Sequence, residues 1–215
     1  MKIKSIALII LFLMILGGVF AFLPTWDWFF NFFKDRDSTI SQLLVTTPKS
    51  TAKIYIDDQV RGTTQTDKEF AITGISKGSH KIKIARISDP SGFYQDFEKT
   101  LDFIPGTAVQ VVWSAGPSTE SSSGIIKYFK KQIASSTPQV KVYPYPADSA
   151  INFDDAKSDS SIVLNDTKKH TMKISKEKYI SQEVPIQMTD SNGTLIKDYD
   201  LVVEVYLYQV PVSNL

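Results

Sequence analysis

Cysteine is absent from this sequence of 215 residues, and histidine occurs only twice. The lack of cysteine excludes disulfide bonds, thiolate catalysis, cysteine-ligated zinc and lipid attachment at an N-terminal cysteine. Excess charge is almost absent too, since 24 basic and 23 acidic residues give a net charge of +1. No segment has the basic surplus that a phosphate backbone requires, so we expect no nucleic-acid partner.

The motifs of common enzyme classes are also missing. The sequence has no glycine-rich phosphate loop, no nucleophile elbow and no HExxH zinc motif. We therefore predict that the chain is not an enzyme, and that it has no catalytic, cofactor-binding or metal-binding residues.

One long hydrophobic run stands at the N-terminus. Residues 5–23 carry no charge and are rich in Ile, Leu and Phe. As a helix, they would span about 28 Å, close to the roughly 30 Å hydrocarbon core of a bilayer. Pro24 ends the run, and the aromatic segment 26–33 that follows is typical of a membrane interface. We predict a membrane anchor in residues 1–37 that contacts membrane lipid.

A cleaved signal peptide and a buried soluble helix are the alternatives for this run. Residues 19–21, Val-Phe-Ala, have the spacing of a cleavage site, but the run exceeds the usual 7–15 residues of a signal core. Lys2 and Lys4 lie nearest to the span, which favours an N-terminus inside the cell. The rest of the chain is then predicted to lie outside the cytoplasm.

After Ser38 the hydrophobic period changes to two. Short segments rich in β-branched and aromatic residues alternate with Gly, Pro, Asp and Ser about every ten residues. Such alternation implies one buried and one solvated face, as in a small β-sandwich. Examples are residues 53–56, 81–85, 109–113, 171–174 and 201–208.

The same features occur twice along the chain, which indicates an internal repeat. Each copy has a Pro and an Ala four residues later, a β-rich stretch ending in two acids, a His before an alternating strand, and an aromatic turn. The paired positions are Pro48 and Pro146, Ala52 and Ala150, Asp57-Asp58 and Asp154-Asp155, His80 and His170, and Tyr94 and Tyr179.

These motifs resemble the PEGA domain family. The first copy carries Ile54-Tyr55-Ile56-Asp57, then Gly62-Thr63, Gly78-Ser79-His80 and Gly92-Phe93-Tyr94. The second copy is degenerate, with Lys168 and Lys178 where the first has Gly78 and Gly92. The resemblance implies a small, non-catalytic β-sandwich module of membrane-anchored or surface proteins in bacteria and archaea.

We therefore predict an all-β chain of two small antiparallel β-sandwich modules behind an N-terminal transmembrane helix. Module 1 occupies residues 40–115, and module 2 occupies residues 139–212. Residues 116–138 are predicted to form a Ser-rich linker with a short amphipathic helix, because Ile125, Phe129 and Ile133 have helical spacing. This helix packs between the modules or lies on a membrane surface; a disordered tether is the remaining alternative.

The two histidines and the two acid pairs are predicted to be structural. His80 and His170 stand at equivalent repeat positions, where a hydrogen bond to a turn is expected. Adjacent residues of a strand point to opposite faces, so neither Asp pair can address one substrate; at a strand end, Asp favours a turn.

Calcium is a minor alternative for two loops with oxygen ligands. The first contains Asp154, Asp155 and Asp159, and the second contains Asp190 and Asn192. Asn192-Gly193 is more typical of a type I′ hairpin turn. Two glycosylation sequons, at Asn165 and Asn192, carry meaning only in a eukaryotic secretory pathway.

The sequence therefore predicts a membrane-anchored, non-catalytic cell-envelope protein. Its two PEGA-like modules would serve spacing, adhesion, or the binding of envelope polysaccharide or another envelope protein. The alternative is an accessory or sensory subunit of a membrane complex, whose span pairs with another helix through Gly17-Gly18.

Overall fold

The computed structural model describes residues 41–88, 92–132, 137–188 and 195–210. The predicted membrane anchor, its aromatic segment and the Asn192-Gly193 turn lie outside these ranges. Every regular element within them is a β-strand, which confirms the all-β class. None of the described residues belongs to a helix of the length and hydrophobicity that a membrane span needs.

The strands of the first half follow the period-two pattern. In β2, for example, Ala52, Ile54 and Ile56 are buried while the residues between them are exposed or half-buried. The strands before Ala115 are β1 (Ser41–Thr46), β2 (Ala52–Ile56), β3 (Gln59–Thr63), β4 (Glu69–Ile75), β5 (Gly78–Arg86), β6 (Phe97–Phe103) and β7 (Ala108–Ser114).

The second half begins with a longer strand, β8 (Ser123–Lys131). The strands that follow are β9 (Gln139–Tyr145), β10 (Ala150–Phe153), β11 (Ala156–Lys157), β12 (Ser161–Val163), β13 (His170–Ser175), β14 (Tyr179–Ile180), β15 (Gln182–Ile186), β16 (Tyr199–Tyr206) and β17 (Tyr208–Gln209).

The described strands form one large sheet and three smaller ones. The large sheet has seven strands in the order β12-β9-β16-β8-β7-β1-β4. We call it the shared sheet, because it contains strands of both halves. Two four-stranded sheets have the orders β3-β2-β5-β6 and β11-β10-β13-β15, and β14 pairs with β17.

The two halves have the same strand connectivity. In the first, β1 is antiparallel to β4 and parallel to β7; in the second, β9 is antiparallel to β12 and parallel to β16. The small sheets also correspond, strand by strand. The prediction of antiparallel modules was therefore wrong in one respect, because each half has one parallel pair. Both halves also contribute strands to one sheet. Alternation in a sequence reports which face is buried, and it does not report strand direction or neighbours.

The predicted helix in the linker is the strand β8. It pairs antiparallel with β7 on one side and with β16 on the other. Ile125 and Phe129 are four residues apart, a spacing that places them on one face of a strand as well as of a helix. Ile126, on the opposite face, is also buried. A strand at the centre of a sheet can bury both faces, and this explains the nearly continuous apolar run.

The Ser-rich stretch before β8 is an ordered turn in the structure. The Ser122 hydroxyl accepts the Gly116 amide at 3.0 Å and donates to the Ser118 carbonyl at 2.8 Å. Ser122 is buried, and these two hydrogen bonds fix the turn that leads into β8.

Each small sheet covers a different face of the shared sheet. Along β8, Ile126 packs into the first core, and Ile125 and Phe129 pack into the second. The first core includes Leu43, Val45, Ile54, Ile82, Ile84, Phe97, Leu101, Phe103, Val111 and Trp113. The second includes Leu44, Ala108, Val140, Val142, Met172, Ile174, Val184, Ile186, Val203 and Val205.

A substitution in one core is predicted to destabilise both halves. Phe129→Ala removes a fully buried ring from the second core and should cost about 3 kcal/mol of unfolding free energy. β5 contributes to the first core and β13 to the second. Since β8 also pairs with β7, amide hydrogen exchange should accelerate in β5 as well as in β13. Thr100→Ala, at an exposed strand position, is the control. Faster exchange confined to β13 would contradict this coupling.

Glu69 makes folding sensitive to pH. Its half-buried carboxyl, on β4, has a pKa raised to about 7 by burial. The folded chain then binds a proton more tightly than the unfolded chain, so stability falls as pH rises from about 4.5 through 7. Glu69→Gln should remove this slope and add about 1 kcal/mol at pH 8, a value reduced for partial solvent exposure. Denaturant unfolding at pH 5 and pH 8 measures the difference; equal gains at both pH values would refute it.

Candidate functional site

Both acid pairs occupy two-residue hairpin turns. Asp57 and Asp58 connect β2 to β3 with φ angles of 51° and 62°. Asp154 and Asp155 connect β10 to β11 with φ angles of 46° and 64°. Positive φ at both central residues is the geometry of a type I′ turn, which Asp tolerates better than most residues do. The predicted turns are confirmed at both positions.

His80 hydrogen-bonds to the turn of the first half. Its Nδ1 lies 2.6 Å from Asp57 Oδ2, and Asp57 Oδ1 accepts the Lys81 amide at 2.9 Å. The other ring nitrogen, Nε2, lies 3.1 Å from the Ser76 carbonyl oxygen. The hydrogen bond from His80 is the first cause of a lowered Asp57 pKa. This is the predicted histidine contact to a turn.

His170 makes the equivalent contact in the second half. Its Nδ1 lies 2.6 Å from Asp154 Oδ2, and Asp154 Oδ1 accepts the Thr171 amide at 2.9 Å. A second carboxylate, Asp166, lies 2.8 Å from Nε2. Burial alone would lower the His170 pKa, but the hydrogen bonds to Asp154 and Asp166 outweigh it and the pKa is raised.

The two histidines do not share a site. His80 belongs to β5 and His170 to β13, in small sheets on opposite faces of the shared sheet. Within the described ranges, which include Asp159, no cluster of three or more His, Asp or Glu side chains could hold a metal ion. The second loop proposed for calcium lies outside those ranges.

The His170 pairing predicts a pH dependence with a definite sign. The charged imidazole stabilises the fold below its unfolded pKa of about 6.5, and this contribution is lost as pH rises through the raised folded pKa. Asp166→Asn should therefore lower the His170 pKa, as followed by NMR of the imidazole protons. Asp159→Asn, with no contact to His170, is the control; an unchanged pKa in the Asp166 variant would contradict the assignment.

A groove of about 470 Å³ opens on the face of the shared sheet that carries the first small sheet. Its floor is β16, flanked by β8 and β9. We call it the tyrosine groove. Its lining consists of Tyr128, Lys130, Lys131, Gln132, Gln139, Lys141, Tyr143, Tyr145, Asp200, Val202 and Glu204.

The strand register arranges this lining in four rows across the sheet. Rows are two residues apart along β16, so together they extend over about 20 Å. One end is polar and the other is aromatic. The rows are Lys130 with Asp200; Tyr128 with Val202 and Lys141; Glu204 with Tyr143; and Tyr206 with Tyr145.

Glu204 is buried in the middle of the groove and is held by side chains of both halves. Lys99, which projects from β6, forms an ion pair with its carboxylate. The hydroxyls of Tyr128 and Tyr206 donate to the two carboxylate oxygens, each at 3.2 Å. Burial, and then the negative charge of Glu204, raises the pKa of both tyrosines, so their hydroxyls stay protonated and donate.

Asp200 forms the polar end of the groove. Its carboxylate lies 2.8 Å from Lys141 Nζ and accepts Gln132 Nε2 at 2.9 Å and the Gln139 amide at 3.2 Å. Burial alone would raise the pKa of Asp200, but the hydrogen bonds from Lys141 and Gln132 outweigh it and lower the pKa. The carboxylate is therefore ionised and held in place at neutral pH.

The aromatic end presents ring surface to solvent. Tyr145 stacks on Tyr206 with ring centroids 4.4 Å apart and an angle of 10°. Tyr206 in turn contacts Trp113 edge-on at 5.3 Å. Tyr143 and Tyr145 remain 48% and 43% exposed; β12 pairs only with residues 139–141 of β9, so both tyrosines have a described neighbouring strand, β16, on one side. Together with Tyr206 they form an aromatic platform on this face of the sheet.

The groove is open because the connection from β6 to β7 is short. It comprises only residues 104–107, whereas the corresponding connection from β15 to β16 comprises residues 187–198. On that opposite face, Met188 and Ile196 join the same apolar cluster as Leu44 and Ala108 of β1 and β7. Met188 and Ile196 thus contribute to the apolar core on that face, whereas the groove over β16 on the other face is open.

Lys127 is another charged residue of β8, but it is buried and solvent does not reach it. It projects from β8 into the second core, where its Nζ lies 3.5 Å from the Pro185 carbonyl oxygen. Burial, and then the charge of Lys169, lowers its pKa well below the usual value. Lys127 is therefore an interior residue, whereas the tyrosine groove is accessible to solvent and is the candidate site.

Sequence reasoning missed the groove, because its residues come from three strands that are distant in the chain. The signal that could have indicated the groove is the composition of the outward face of β9 and β16. Lys141, Tyr143 and Tyr145 alternate along β9, and Asp200, Glu204 and Tyr206 share one face of β16. These positions are polar or aromatic where a simple solvated face would show short polar residues.

The described part of the chain is thus an all-β protein of several sheets with an open groove on the largest. No protein-family model matches this sequence, and no curated protein matches it. A solved structure with a β fold, a mutant of the shaft pilin SpaA from Lactobacillus rhamnosus GG, is similar at 10% identity and a TM-score of 0.21. That match covers 81% of this chain and 99% of the pilin chain.

Proposed function

We propose that this chain is a membrane-anchored, non-catalytic cell-envelope protein that binds envelope polysaccharide in the tyrosine groove. The observation that carries the proposal is the exposed pair Tyr143 and Tyr145 on a rigid sheet, beside fixed polar groups. The anchor rests on the uncharged run of residues 5–23.

The chemistry of the groove suits a sugar chain. A sugar ring has an apolar C–H face that packs on an aromatic ring, and hydroxyls that need hydrogen-bond partners. Tyrosine supplies both an apolar ring and a polar hydroxyl, and Gln139 and Lys141 add polar groups nearby. Because the rows extend over about 20 Å, the groove fits a linear polymer better than a single sugar.

The two carboxylates favour binding over hydrolysis. Asp200 and Glu204 are four residues apart on one strand, which separates them by about 13 Å. Glycosidase carboxylates are about 5 to 9.5 Å apart. In addition, each carboxylate is paired with a lysine, so neither is poised as a general acid.

The sheet architecture supports a role in display and spacing. The two halves share one connectivity, which suits two copies of a PEGA-like module, and β8 joins them by backbone hydrogen bonds. Because the shared sheet is continuous, the groove has a fixed position relative to both halves. A flexible linker between the halves would not fix that position. We therefore propose that the modules present the groove outside the cytoplasm.

Removal of the aromatic platform should abolish most of the binding. Tyr143→Ala and Tyr145→Ala are each expected to weaken affinity for a groove-binding polysaccharide about tenfold, since an exposed aromatic contact contributes about 1 kcal/mol or more. The full-length protein in detergent is screened on a glycan array, and hits are quantified by isothermal titration calorimetry. Phe93→Ala, at an exposed aromatic residue of the first half, is the control. Absence of any glycan hit, or hits insensitive to both tyrosines, would refute the proposal.

A further inference from the structure

We propose that the tyrosine groove is selective for an acidic polysaccharide, whose anionic groups bind at Lys130, at the polar end, while its rings pack on Tyr143 and Tyr145. This inference rests on the proposed function and specifies its ligand class.

The charged residues that line the groove are three lysines and two carboxylates, and beside it lie Lys99 and Asp102, the latter close enough to act on Tyr128. Asp200 is neutralised by Lys141, and Glu204 is neutralised by Lys99. Lys130 and Lys131 also line the groove, and within the described part of the chain neither forms a salt bridge. Lys130 projects from the same face of β8 as Tyr128 and is available to a ligand at one end, and Lys131, the last residue of β8, lines the margin of that end.

The position of these lysines requires an extended ligand. Lys130 is the cross-strand partner of Asp200, in the row at the polar end, whereas Tyr143 lies beside Glu204. Four residues of β16 separate the two rows, which corresponds to about 13 Å. A ligand that contacts both ends must be a chain that combines apolar ring faces with negative charges.

Other anionic macromolecules fit less well. A nucleic acid would need many more basic contacts than two lysines provide. An acidic peptide added as a strand would pair with the free edge of β6, but this strand exposes Glu98 and Asp102 and directs Lys99 inward. Charged side chains on both faces of an edge strand disfavour pairing with a further strand. The geometry therefore favours a glycan over a peptide as the ligand.

The test compares one oligosaccharide in charged and neutral forms. Oligogalacturonate and its fully methyl-esterified form are titrated into the full-length protein in detergent at low salt. The wild type should bind the acid form about three- to fivefold more tightly, since one partly exposed ion pair supplies about that factor. The double variant Lys130→Gln/Lys131→Gln should lose this preference and keep its affinity for the ester. Lys68→Gln/Lys77→Gln, at exposed lysines of the first half, is the matched control.

The outcomes separate this inference from the proposed function. Equal affinity for both forms, with loss of binding in Tyr143→Ala, overturns the charge preference and leaves glycan binding intact. If neither form binds and the glycan array is empty, the proposed function fails, and this inference fails with it. Poly-glutamate that binds as tightly as oligogalacturonate, without an effect of Tyr143→Ala, shows general charge attraction and overturns the glycan assignment.

Discussion

The backbone pairing of β8 with both β7 and β16 is the constraint on which the rest of the structure depends. Along most of its length this strand has neighbours on both sides and a core on each face, so its central residues pack in two directions. Ile126 enters one core and Phe129 the other. Gly124 is required for the same reason, because a Cβ there would lie 2.5 Å from both the Trp113 ring and the Val112 carbonyl oxygen.

The same arrangement creates the groove and determines its electrostatics. The first small sheet leaves the groove over β16 uncovered, and the connection from β6 to β7 comprises only residues 104–107. Glu204 is then buried at the boundary between the halves, with Lys99 from one half and Tyr206 from the other. Loss of either partner would leave a buried charge incompletely paired, so this contact favours one relative position of the halves.

Local patterns in the sequence were sufficient for the parts of the fold that depend on neighbours along the chain. The acid pairs predicted turns because Asp tolerates positive φ, and His80 and His170 were correctly expected to bond to turns. The prediction failed at β8, since residues four apart share a face in a helix and in a strand alike. Nothing local distinguishes the two when both faces become buried.

The sequence by itself determined the all-β class and the hairpin turns at the two Asp pairs, because each follows from side-chain period or from backbone preference within a few residues. Tertiary structure alone decided that the halves share a sheet, that the first small sheet leaves β16 uncovered, and that Tyr128, Tyr143 and Glu204 meet in one groove. These features depend on pairing between distant strands, whose register no local pattern specifies.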